Sequence, residues 1–64
     1  MVKINGVEMK VAGRTVAEHL AENGYDAKRV AVELNGDILP KAQYDSTALQ
    51  DGDSVEVVSF VGGG

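Results

Sequence analysis

The chain has 64 residues, 44% of them hydrophobic and 25% charged, with a formal net charge of −4 and no cysteine. Such a length allows one small domain that buries about 60% of its unfolded surface, and the apolar share is well above that of a disordered segment. Lack of cysteine excludes a disulfide framework, a thiolate metal or redox site and a side-chain thioester, and a negative balance works against nucleic acid and anionic membrane as partners.

The amino end alternates, with Val2 and Ile4 against Lys3 and Asn5, then Val7, Met9 and Val11 against Glu8 and Lys10, which predicts two strands. Between them Asn5-Gly6 is the sequence of a type I′ hairpin, whose two central residues both need φ > 0. Thr15 and Glu18 follow at capping-box spacing, so a helix is expected to begin after Thr15. Val16, His19, Leu20 and Asn23 recur at helical intervals for about two turns, and Gly24 stands where a left-handed C-terminal cap belongs. Only Val16 and Leu20, helped by Ala17 or Ala21, offer strong apolar surface, so this helix should be held by docking on a sheet. His19, the only histidine, lacks the partners that a metal site or a general base requires and reads as a helix-surface residue.

Val30, Val32 and Leu34 alternate with Ala31 and Glu33 in a third predicted strand, which stops at Asn35-Gly36-Asp37. Ile38 and Leu39 precede Pro40 and predict a short edge strand, because proline donates nothing to a ladder. Residues 41–49 read as loop or a single helical turn, with Tyr44 and Leu49 tucked inward. A last strand over 54–61 puts Val55 and Val57 on the core side and Glu56, Val58 and Phe60 on the other. Val58 and Phe60 are then either additional core or an apolar patch for a partner. Asp51, Asp53 and Glu56 make a local acidic group without the ligand run of a calcium loop; it reads as a solvated turn or as a means of meeting basic groups on a partner.

Strand, strand, helix, strand, short strand, strand is the order of an α+β fold, a sheet of four to five strands with one main helix packed on one face, and a β-grasp arrangement meets it. The expected organisation is a domain over residues 1–61 and a flexible glycine tail over 62–64. Lys3, Asn5 and Glu8 interrupt any signal-peptide apolar run, and no stretch approaches the ~20 apolar residues of a membrane span. A cytoplasmic protein that binds neither membrane nor nucleic acid is therefore expected.

Gly62, Gly63 and Gly64 have no folding rationale, since glycine loses the most backbone entropy on ordering and brings no side chain to pack. A glycine tail suits a narrow channel in another protein: three extended residues reach ~10 Å, with Gly62 and Gly63 threading and the Gly64 carboxylate at the end. A carboxylate is a poor electrophile until adenylated, and these glycines have neither the spacing of a phosphate-binding loop nor that of a dinucleotide fingerprint. The activating machinery must belong to a partner, with Val58 and Phe60 beside the tail as the candidate docking patch.

Val32, Asn35, Gly36, Pro40, Lys41 and Tyr44, then Leu49, Asp51, Gly52, Asp53, Val55 and Glu56, ending Val61 to Gly64, together with the earlier Thr15, Val16, Ala17 and Leu20, resemble the ThiS family of sulfur carriers in thiamine biosynthesis. The resemblance implies a ubiquitin-like β-grasp fold, whose parallel pairing of first and last strands makes the sheet mixed, and a protein cosubstrate, not an enzyme, with no cofactor bound. It further implies that an E1-like adenylyltransferase (ThiF-like), using ATP and Mg, activates Gly64. A sulfur donor system then converts the carboxylate to a thiocarboxylate, which gives its sulfur to a thiazole synthase (ThiG-like). Three alternatives share parts of the pattern: the small subunit of molybdopterin synthase, a ubiquitin-like protein modifier, and a β-grasp interaction module that carries nothing.

Overall fold

Two short strands, β1 (Val2–Ile4) and β2 (Val7–Met9), open the chain as an antiparallel hairpin in register Val2 with Met9 and Ile4 with Val7. The computed structural model describes residues 1–60; residues 61–64, including the end of the expected last strand and all three terminal glycines, lie outside the described residues. At the turn Asn5 and Gly6 have φ of 49° and 84°, the left-handed pair that the Asn-Gly sequence predicts. Only Val2 and Ile4 are buried, whereas Val7 is 60% exposed and Val11 falls after the strand, half-buried. β2 is an outer strand with a neighbour on one side alone, so the apolar residues on it are covered from one flank only.

The helix α1 (Val16–Glu22) starts at Thr15 with the expected capping box. Glu18 N–H donates to Thr15 Oγ1 at 3.1 Å and Thr15 N–H donates to Glu18 Oε1 at 2.8 Å, satisfying two of the donors that a helix start leaves open. Thr15→Ala is expected to cost about 1 kcal/mol in chemical denaturation. The same backbone bond, aided by the Thr15 hydroxyl and Arg14, holds the exposed Glu18 carboxyl below its ordinary value. A depressed carboxyl stabilises the fold above its unfolded pKa, and that contribution disappears as pH falls through the lower folded value. Stability should therefore decline on acidification below the usual carboxylate range, and a Glu18→Gln chain, whose amide oxygen still accepts, should show a flatter acid limb.

At its other end α1 closes with Gly24 in the left-handed region, φ 77°. A seven-residue helix has little stability of its own, and Val16 and Leu20 bury almost completely against the sheet. His19 is buried as well, at 3% exposure, which corrects its reading as a surface residue. It lies three positions after Val16, on the inward face. Asn23 Nδ2 lies 3.3 Å from its ring Nδ1 and donates to its carbonyl oxygen at 2.8 Å, so the ring's polar edge is met within the helix itself.

The chain returns through a short 3₁₀ turn, Ala27–Arg29, into β3 (Val30–Leu34), and a second left-handed pair at Asn35-Gly36 leads to the three-residue β4 (Asp37–Leu39). After Pro40 a single 3₁₀ turn, Lys41–Gln43, brings Tyr44 inward, and Leu49 is buried beside it in the core, both as the sequence predicts. β5 (Ser54–Ser59) completes a five-stranded sheet in the order β2-β1-β5-β3-β4. β5 runs parallel to β1 and antiparallel to β3. One helix on one face of the sheet is what the order of elements predicts, the parallel β1–β5 pair is what the family resemblance implies, and β5 lies in the middle. Val2, Ile4, Leu20, Val30, Val32, Leu49, Val55 and Val57 form the heart of the core between sheet and helix. No helix of the described residues is long and apolar enough to cross a membrane.

Candidate functional site

The end of β5 is where the body gives way to the glycines, and its side chains divide cleanly between two faces. Val55 and Val57 are buried in the core, whereas Val58 is 53% and Phe60 55% exposed on the opposite, open face of the sheet. Neither is core, and both contribute exposed apolar surface to that face. Ala31 of β3 pairs with Val58 of β5, and Ile38 of β4, 75% exposed, pairs with Glu33 of β3. The open face therefore carries apolar groups on three adjacent strands, with Ile38 a contributor that the sequence alone marked only as part of an edge strand.

Glu33 and Glu56 sit directly opposite each other on that face. Two like charges in a cross-strand pair repel, and nothing cationic bridges them among the described ion pairs, which join Met1 to Asp51, Arg14 to Glu22 and Arg29 to Asp26. The three acidic residues grouped in the sequence separate in the fold. Asp51 takes the amino terminus of Met1. Asp53 accepts from Gln50 N–H at 2.9 Å and from Asn35 Nδ2 at 3.1 Å, locking the turn into β5. Glu56 instead lies on the open face of the sheet, paired with Glu33.

The base of the tail is fixed from both flanks. On the β3 side Phe60 N–H donates to Arg29 O at 2.8 Å. Arg29 closes the 3₁₀ turn whose Ala27 and Lys28 carbonyls accept from Lys41 Nζ at 3.2 and 2.7 Å, so Lys41 ties together the two turns that frame this end of the sheet. On the β1 side Lys3 N–H donates to Asp53 O and Asn5 N–H to Val55 O, at 2.9 and 2.8 Å. One step further the Asn5 side chain takes over: its Oδ1 accepts from Val57 N–H at 2.8 Å and its Nδ2 donates to Val57 O at 3.3 Å. The sequence marked Asn5 as a turn residue; its second role depends on a contact across 52 positions, which no local pattern encodes.

Gly64, the expected carboxylate acceptor, and Gly62 and Gly63, the expected threading residues, lie outside the described residues. Among the described residues no three His, Asp or Glu side chains are grouped to hold a metal. A shallow cleft lined by Met1, Lys3, Glu8 and Ser54 lies at the Ser54 end of β5.

A thiazole synthase of Paramagnetospirillum magneticum is 48% identical over 62 residues, 95% of this chain; the match spans only 19% of that longer protein. The sulfur carrier protein ThiS of Thermus thermophilus is 41% identical over 64 residues, covering the whole of both chains. The crystal structure of the thiamine biosynthesis protein ThiS from Geobacter metallireducens matches with a TM-score of 0.77 at 37% identity, covering 98% of this chain and 97% of that one. The ThiS family model matches residues 2–64, from the first strand through the last glycine, and the chain belongs to the ThiS family.

Proposed function

We propose that this chain is a sulfur carrier of thiamine biosynthesis, a protein cosubstrate whose reactive group is the Gly64 carboxylate. The observation that carries the reading is the full-length family match running through the terminal glycines. The body supports it by placing the strand that leads to those glycines in the middle of the sheet. The chemistry follows from the terminus. A carboxylate oxygen attacks the α-phosphorus of ATP on an E1-like, ThiF-like partner, with Mg balancing the phosphate charge, and pyrophosphate leaves. Sulfide (HS⁻) delivered by the donor system then attacks the acyl carbon, the acyl–phosphate bond breaks with AMP as leaving group, and loss of the S–H proton gives the terminal thiocarboxylate. Its sulfur is the nucleophile offered to a ThiG-like thiazole synthase. The relative named thiazole synthase, which contains a segment so similar to this chain, favours thiazole over molybdopterin as the destination.

Docking of these partners falls to the open face. Val58 and Phe60 supply apolar area beside the tail, and the Glu33–Glu56 pair supplies a site for a guanidinium or ammonium group that would relieve its repulsion. Binding of the activating enzyme should weaken several-fold as salt rises, and Glu56→Gln should flatten that salt dependence without lowering stability, since one of two repelling charges is removed. Titration by calorimetry at two ionic strengths checks both.

Incubating the chain with the activating enzyme, ATP, Mg and a sulfur donor, then measuring intact mass, tests the carrier reading. Exchange of one oxygen for sulfur is the expected result. An isopeptide adduct would make the chain a protein modifier, and an unchanged mass would make it an interaction module.

A further inference from the structure

We infer that Asn5 is a positioning residue for the carboxyl-terminal end: its side-chain amide serves as the missing rung of the β1–β5 ladder and fixes the course of β5 just before the glycines. This rests on the carrier reading for its consequence in catalysis, though not for its structural content. A parallel ladder beside β5 requires a partner for every second residue, and the odd positions of β5 face β1, as Asp53 and Val55 show by accepting from Lys3 and Asn5 N–H. At Asn5 the backbone enters the left-handed region, φ 49°, and turns away into β2, so β1 has no further peptide group to offer Val57. The Asn5 amide provides both parts that the absent peptide would have provided, an oxygen for Val57 N–H at 2.8 Å and an N–H for Val57 O at 3.3 Å.

Past that rung, the β1 flank of β5 has no strand beside it, and the order of the chain at Phe60 depends on the β3 flank through Phe60 N–H to Arg29 O. Among the described residues Asn5 is thus the last tie on the β1 side of the strand that leads to the glycines. One residue both forms the hairpin and holds β5, which couples the geometry of the first turn to the base of the carboxyl end. For a carrier that must place an acyl carbon within reach of a phosphorus, and later of an acceptor, misplacement of that base by about 1 Å is enough to cost a large factor in rate.

Asn5→Gly separates the two roles, because glycine accepts the left-handed turn without strain but has no amide. Asn5→Gln is the length control, and Thr15→Ala, which loses a cap at the helix start and makes no bond to β5, is the stability control. In the free chain Asn5→Gly should speed hydrogen exchange at Val57 N–H by at least about tenfold relative to Thr15→Ala. The backbone order parameter at Phe60 should fall from about 0.85 toward 0.6. With the activating enzyme, kcat/KM for thiocarboxylate formation should fall about tenfold at a temperature where circular dichroism shows every variant folded, while Thr15→Ala keeps the native value. Unchanged exchange at Val57 or unchanged order at Phe60 in Asn5→Gly would overturn the inference, as would equal loss of kcat/KM in Asn5→Gly and Thr15→Ala. If the native chain itself is not converted, the carrier reading fails, and the exchange and order measurements still decide whether Asn5 holds the end of β5.

Discussion

Deletion of Gly64 is expected to abolish thiocarboxylate formation and to leave the unfolding transition of the domain where it was. The two halves of that result have separate causes. Among the described residues every buried apolar residue of the core lies between Val2 and Val57, a glycine brings no side chain to pack, and changes away from core features alter stability by no more than about 0.5 kcal/mol. The chemistry, in contrast, needs a carboxylate at one distance from the folded body, and the shortened chain would present its acid a residue too early, ~3.5 Å short. Amidation of the Gly64 carboxyl should give the same loss with the reach preserved, because an amide nitrogen is not a nucleophile toward phosphorus. Intact mass after incubation with the activating enzyme checks both, and sulfur uptake by either variant would remove Gly64 from the mechanism.

Phe60→Asp is expected to weaken binding of the activating enzyme by more than about thirtyfold, the loss associated with an aromatic anchor worth ~2 kcal/mol at the centre of an interface. The double change Val58→Asp with Phe60→Asp should exceed the single one. Neither should unfold the chain: both side chains are more than half exposed, and the bond from Phe60 to Arg29 uses only the main chain. Leu20→Ala is the contrasting case. Its side chain is 1% exposed in the core, and losing it should cost roughly 2–5 kcal/mol, a large share of the stability of a domain this small. Binding of labelled chain to the enzyme, alongside thermal melting, separates the two outcomes; a Phe60→Asp chain that melts like Leu20→Ala would return Phe60 to the core.

Local patterns carried most of the architecture. Asn5-Gly6, the Thr15–Glu18 box and Gly24 each specify a conformation by short-range sterics or hydrogen bonding, and each is found where its residues predict. The alternation in β3 and β5 is likewise readable because one face of the sheet is covered by the helix and the other is open. His19 reads as a surface residue by its polarity, but its position on the inward face buries it, with Asn23, one turn on, beside its ring Nδ1. The repulsive pair Glu33–Glu56 and the amide bridge from Asn5 to Val57 were invisible for another reason. Both depend on register between strands far apart in the chain, and the sequence encodes register only through the fold as a whole. Gly62, Gly63 and Gly64 lie outside the described residues, and the mass measurement on the converted chain is what tests their chemical reading.

Because β5 lies between two neighbours and runs alongside β1, a tug on the carboxyl end is a load along the strand's own length. Its rungs on both sides then share the strain at once, where an outermost strand peeled sideways would give them up singly. A carrier whose end is gripped deep inside one enzyme and then pulled free for the next would be drawn out whole, body following tail, without unravelling.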